Sequence, residues 1–217
     1  MHFTTWLTFF FAACVIAVSP GSGAVLSMSH GLNYGVKKAS GTIMGLQAGL
    51  LLILAIAGAG VGSILMASEF AFNIVKTVGA LYLIYLGINQ WRAKIDVAAA
   101  SDADVVSAAN TQVPAMSKRF LTGFLTNATN PKGIIFMVAV LPQFISHDAQ
   151  LLPQLLILGV TMCAIDLVVM HGYAFAASTM QRYFRDPKWL KSQNRFFGGI
   201  LMAIGAALFF VKRSPSN

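Results

Sequence analysis

The sequence predicts an all-α integral membrane protein of six transmembrane helices, arranged as two inverted three-helix repeats with interrupted helices 1 and 4. Three observations carry this expectation: charges too few for a soluble surface, six apolar stretches of spanning length, and a proline–glycine break in both the first and the fourth. Of 217 residues, 57% are hydrophobic and 10% are charged, where a soluble domain carries about 25% charged residues. Mean hydropathy is +0.71. Fifteen Lys and Arg with seven Asp and Glu cannot clothe a domain of this size in water. The composition argues against a cytosolic enzyme, a nucleic-acid binder, a disordered chain and a secreted disulfide scaffold. Nineteen glycines fit close helix contacts in lipid. Cys14 and Cys163 lie inside apolar runs and read as small core residues.

A spanning helix needs about 20 mostly apolar residues. No Lys, Arg, Asp or Glu precedes Lys37, which places the first span within residues 6–28. It has no basic region before it and five further spans follow, so it reads as a span rather than a cleaved signal. The second lies in the charge-free stretch 39–68 and the third in 70–90, with Glu69 and Lys76 near its end as interfacial anchors. A polar linker rich in Ala, Ser and Asp follows over 91–117. The fourth span covers 120–145, the fifth 153–180 and the sixth 196–211. As one transporter domain, 1–217, the chain divides into repeat 1 at about 1–95, a cytoplasmic linker at 96–117 and repeat 2 at about 118–213.

Orientation follows from the cations, which collect in cytoplasmic loops. Lys37 and Lys38, then Arg92, Lys94, Lys118 and Arg119, then Arg182, Arg185, Lys188, Lys191 and Arg195 put eleven of fifteen on one side. Lys212 and Arg213 fall on the other, whose loops carry Glu69 and Asp148. Both termini are therefore expected outside the cytoplasm. The net charge of +8 reports topology and implies no nucleic-acid partner.

The repeat shows in two places. Ser19-Pro20-Gly21 in the first span corresponds to Asn130-Pro131-Lys132-Gly133 in the fourth, and Lys76-x-x-Gly79-Ala80 in the third to Arg195-x-x-Gly198-Gly199 in the sixth. Three spans per repeat invert the second copy. Proline removes an amide donor and clashes with the preceding turn. At membrane depth such a break is tolerated where protein or water lines it, and paired breaks point to a transporter's binding site. A freed half-helix N-terminus suits a carboxylate. Gly21, Gly23 and Gly133 allow close backbone approach, and Ser19, Ser22, Asn127 and Asn130 add short polar groups. This chemistry suits a small zwitterion such as an amino acid.

These segments resemble the LysE/RhtB family of bacterial amino-acid exporters. The resemblance rests on SPGSGAVL (19–26), HGLNYGVKKASG (30–41), GALYLIYLG (79–87) and FLTGFLTNATNPKGIIFMVAVLPQF (120–144), and spans nearly the whole chain except 97–115. It implies a multi-pass inner-membrane exporter of amino acids or derivatives such as homoserine lactone, energised by the proton-motive force. Its partners would be that small molecule, protons and the bilayer, with no cofactor and no bound metal. The family often has a second proline after the first Pro-Gly, where this chain has Ser22, which would widen or repolarise that break. Composition and spacing alone point only to a small-solute transporter.

Three ionisable groups sit deep in spans. Each charge there costs at least about 2.5–3.5 kcal/mol on insertion scales, so each needs a reason. Asp166, the carboxylate near the centre of the fifth span, reads as a proton-coupling or amine-binding group. Lys132, directly after Pro131, reads as its partner or as a carboxylate anchor. A fixed Lys132–Asp166 ion pair joining two helices is the structural alternative. His171 lies about 140° around the helix from Asp166, so the two make no dyad, and it reads as a packing histidine. The substrate-binding set is thus Ser19, Pro20, Gly21, Ser22, Gly23, Asn127, Asn130, Pro131, Lys132 and Gly133, with Asp166 for proton coupling. Gly41, Gly45, Gly49, Gly58 and Gly62 form a small-residue ridge for packing within the protomer, with a homodimer face as its second use. Trp6, Trp91 and Tyr82 or Tyr85 suit interface belts or packing. An intramembrane enzyme is disfavoured, because Ser22 has Pro20 two residues before it and no supporting histidine. A metal-cation exporter would want more deep ligands than Asp166, His171 and Cys163 on one helix.

Overall fold

The computed structural model describes residues 1–67, 69–92, 113–146, 149–179 and 187–208, and every regular element among them is helical. α1 is Phe3–Val18, α2 Ser22–Tyr34, α3 Val36–Ala67 and α4 Glu69–Arg92. α5 is Met116–Ala128 and α6 Pro131–Val140, which runs into a 3-10 turn at Leu141–Phe144. α7 is Leu151–Thr179 and α8 Pro187–Leu208.

Both expected breaks are present, and they differ in construction. Pro20 disfavours a helical backbone at the residue before it, and Ser19 is extended (φ −67°, ψ 119°). Gly21 is extended too, α2 begins at Ser22, and the two helices meet at a bend of 55°. In the second break the proline starts the new helix. Pro131 occupies the first position of α6, where a missing N–H costs nothing, and Asn130 caps it by accepting from the Lys132 amide at 3.1 Å.

Val36–Gly60 and Leu151–Thr179 are long and apolar enough to cross a membrane, and the bent α1–α2 pair makes a third if taken as one span. Helices also lie at the other three expected places, as α4, α5 with α6, and α8, without meeting that standard among the described residues. α5 and α6, of 13 and 10 residues, are each short of spanning length, α4 contributes the shorter apolar stretch Ala80–Asn89, and Lys188, Lys191 and Arg195 make the start of α8 polar. α8 starts nine residues before the expected 196, again with a proline at its first turn.

Close helix crossings organise the core. A Cβ at Gly45 would collide with the Phe120 carbonyl oxygen, and one at Gly123 with that of Thr42. Gly41, Gly45 and Gly49 therefore seat α5 and Gly58 meets Leu155 on α7, both uses within the protomer. α4 and α8 cross at Gly87 and Gly198, each 2.6 Å from the other's carbonyl oxygen by the same measure, with Trp91 lying over Gly198 and Gly199. α2 rests on α7 at Gly31 against the Ala174 backbone. Phe9 on α1 is fully buried against Phe144, edge to face at 5.2 Å. Trp6 donates to Thr161 at 3.0 Å, which ties α1 to α7. Arg119 donates to the Lys38 carbonyl and so joins the basic ends of α3 and α5.

Several expectations fall outside the described residues: the linker over 93–112 with Lys94, Asp148, the segment 180–186 with Arg182 and Arg185, and 209–217 with Lys212 and Arg213. The side chains of Glu69, Lys76, Lys188 and the position of Gly62 on the ridge are outside them as well.

Candidate functional site

A cavity of about 50 Å³ opens where the two breaks face each other across α3 and α7. The first break contributes Ser19, Gly21 and Gly23, and the second contributes Asn127, Asn130, Lys132 and Gly133. Asp166 enters from α7, flanked one turn to either side by Met162 and Met170, while Leu46 and Leu50 close the α3 side. Residues separated by more than a hundred positions thus meet at one point.

The break frees carbonyls at the C-terminal end of α1, and buried carbonyls need donors. Two long side chains supply them. Lys132 Nζ donates to the Ser19 carbonyl at 2.6 Å, and the Tyr173 hydroxyl to the Val18 carbonyl at 2.6 Å. The negative end of a helix favours an ammonium there. Gly21 leaves room for it: a Cβ at that position would lie 3.4 Å from Lys132 Nζ. Asn127 Nδ2 donates to the Leu46 carbonyl at 2.7 Å and fixes the end of α5 against α3.

Asp166 is 9% exposed, and its Oδ2 accepts from Gln47 Nε2 at 2.7 Å. The structure therefore corrects the ion-pair alternative. Lys132 and Asp166 line the same cavity, yet the first holds a helix-end carbonyl and the second an amide. Neither charge is neutralised by direct contact with the other. Each stands with a neutral partner, facing a space of a few water-sized volumes.

Pro20, Ser22 and Pro131 are not among the lining residues. The two prolines shape the breaks, and Ser22 is exposed at the start of α2. His171 binds α7 to α3 rather than facing the cavity. Its Nδ1 donates to the Leu167 carbonyl at 2.8 Å, and its Nε2 lies 3.0 Å from the Ser40 hydroxyl. His30 on α2 is paired in the same layer with Thr42 at 2.5 Å.

Sequence reasoning missed Gln47, Tyr173, Met162 and Met170. The methionines carried a signal, since Met162, Asp166 and Met170 recur every four residues and form one helix stripe. Gln47 and Tyr173 carried none beyond being polar groups in apolar runs.

Chemically, an ammonium and a carboxylate held apart in one cavity form a fixed dipole complementary to a zwitterion. A solute's carboxylate would turn to Lys132 and its ammonium to Asp166. Met162 and Met170, unbranched and adaptable, can yield to an apolar side chain.

Residues 14–211 match the LysE type translocator family. A homoserine/homoserine lactone efflux protein of Salmonella typhimurium is 40% identical, over 96% of this chain and 97% of its own length. A membrane protein of Vibrio cholerae is 38% identical over 98% of this chain and all of its own. A leucine efflux protein of Klebsiella pneumoniae is 30% identical over 94% of this chain and 93% of its own. No solved structure matches the chain.

Proposed function

The chain belongs to the LysE type translocator family, and on that premise we propose that it exports amino acids or their derivatives across the bacterial inner membrane through the cavity between its two helix breaks, in exchange for protons. One observation carries the reading: Lys132 and Asp166 line the same cavity, each held by a neutral partner. The substrate's ammonium and a proton compete for Asp166. A proton arriving from outside displaces the ammonium and releases the substrate outward, and its loss to the cytoplasm readies the carboxylate again. Ser19, Gly21, Gly23, Asn127, Asn130 and Gly133 shape the rest of the site. Lys132 makes export of a metal cation the poorer reading, because its ammonium repels one.

The same proposal takes the six helical segments as two inverted repeats, about 1–95 and 118–213, joined by a cytoplasmic linker at 96–117, with both termini periplasmic. The loop cations support this orientation, as does the Arg119 contact that joins two basic ends. A cytoplasm-dependent reporter fused after Asn217 is expected to stay inactive, and strong activity would reverse the topology.

Export is tested with purified protein in proteoliposomes carrying a pH gradient and a panel of homoserine, homoserine lactone, leucine and threonine. Carrier-dependent efflux of at least one is the expected result, and failure of every member would overturn the proposal. Lys132 supplies a sharper test, since a lactone has no free carboxylate to present to it. Lys132→Gln is expected to weaken homoserine transport by about tenfold or more, the loss of one charge-assisted hydrogen bond, and to affect the lactone much less. Equal losses for both would remove Lys132 from carboxylate recognition.

A further inference from the structure

Asp166 has a partner outside the cavity lining, and that partner has an unusual property. Gln47 is 7% exposed on α3 and donates its Nε2 to Asp166 Oδ2 at 2.7 Å. Its other amide atom, Oε1, is buried and has no hydrogen-bond partner among the described residues. A buried polar atom left unpaired has a free-energy cost and needs an explanation. A carboxylate only accepts hydrogen bonds, whereas a carboxylic acid must also donate one. A primary amide carries both complements on one carbon, exchanged by half a rotation about its last side-chain bond.

We propose that Gln47 is the positioning residue that keeps Asp166 hydrogen-bonded in both protonation states, presenting its amide N–H to the carboxylate and its amide oxygen to the carboxylic acid. The inference rests on the proposed role of Asp166 in proton exchange. The proton that arrives forms an O–H bond on the Asp166 carboxyl, and that O–H then donates to Gln47 Oε1 after the amide turns. When the proton leaves, the amide turns back. One amide atom is unpaired in either orientation, so neither state is locked, as a cycling carrier requires. The charged and titratable groups facing Asp166 are Lys132 from α6, and Cys163 on its own helix. Lys132 is held at the Ser19 carbonyl, and the histidines of α2 and α7 are held by Thr42 and Ser40. Gln47 is thus the group in hydrogen-bond contact with the carboxylate.

The test uses the full-length carrier in proteoliposomes, and compares net efflux driven by a pH gradient with homoserine exchange at equal pH. Exchange can run with Asp166 charged throughout, whereas net efflux requires both states. Gln47→Met is expected to lower the ratio of net efflux to exchange by about tenfold, the loss of one hydrogen bond to a charged group. Gln47→Asn shortens the amide by one methylene, and Asp166→Glu lengthens the acid by one. Each alone is expected to lose net efflux, and the double variant is expected to recover about fivefold or more over either. An unchanged ratio in Gln47→Met, or a double variant no better than the poorer single, would overturn the proposal. An infrared arm separates this outcome from failure of the transport reading. The carboxylic C=O band that appears on acidification and is lost in Asp166→Asn is expected to shift in frequency in Gln47→Met. A band at the wild-type frequency overturns the role of Gln47 whether or not the wild type transports any member of the panel.

Discussion

Asp166→Asn is expected to reduce proton-driven net efflux by about a hundredfold or more, in a protein that still assembles. The substitution preserves size and shape on α7 and removes the charge. Asp166 is 9% exposed, so bulk water gives its carboxylate little support; Gln47 bonds it from behind the cavity lining, and the ammonium of Lys132 lines the same cavity. Truncating one member of a desolvated, hydrogen-bonded charge system costs about 2–5 kcal/mol in comparable interfaces, which corresponds to more than an order of magnitude in binding. On the proposed mechanism two effects combine in the variant: the substrate's ammonium loses its counter-charge, and the carboxyl that would carry the proton back is gone. Assembly should survive, because the oxygen of the introduced amide can still accept from Gln47. Thermal stability of the purified variant, measured beside its efflux, separates loss of chemistry from loss of fold. Full pH-dependent export by Asp166→Asn would remove Asp166 from the coupling step.

Gly45→Ala is expected to destabilise the protein by about 1–3 kcal/mol or more, as overpacking does, while Gly60→Ala on the same helix leaves it unchanged or slightly more stable. A Cβ at Gly45 would collide with the Phe120 carbonyl oxygen and lie 2.9 Å from the Phe124 amide nitrogen. Both are backbone atoms and cannot rotate aside, so α5 must retreat by about 1 Å to restore an ordinary carbon–oxygen contact. At Gly60 an added Cβ meets nothing within 4 Å among the described residues. The displacement reaches the cavity, because α5 ends next to Asn127, whose side chain is anchored on the Leu46 carbonyl. Gly45→Ala should therefore lose transport beyond what its stability explains. Equal thermal stability of the two alanine variants in detergent would contradict the α3–α5 crossing.

Local chemistry was legible in the sequence, and long-range partnership was not. Pro20 and Pro131 announce their breaks because proline acts on its own neighbours, and helices do end at Val18 and Ala128. Gly41, Gly45 and Gly49 recur every four residues, so their shared face was evident, though nothing identified α5 as the helix they receive. Asp166 and Lys132 stood out as charges in apolar runs, and the structure brings both to one cavity. Their partners were hidden for a physical reason. Lys132 bonds a main-chain carbonyl at Ser19, and every residue offers one of those. Gln47 lies 119 positions from Asp166 and matters only because α3 and α7 touch there. The fourth span shows the converse limit, because its break divides an apolar run into helices of 13 and 10 residues, neither of spanning length alone.

The central claim is that the substrate occupies the cavity between the two breaks, and substrate protection of a single cysteine tests it most directly. Ala24 lines that cavity at 2% exposure and accepts Cys with little change in size. Ser117, exposed at the start of α5, serves as the control position. With Cys14 and Cys163 replaced by Ala, saturating amounts of a transported amino acid or lactone should slow labelling of Ala24→Cys by a small thiol reagent about tenfold or more, the occupancy expected well above Kd, and leave Ser117→Cys unaffected. Equal labelling of Ala24→Cys with and without a substrate that the same preparation transports would place the binding site elsewhere.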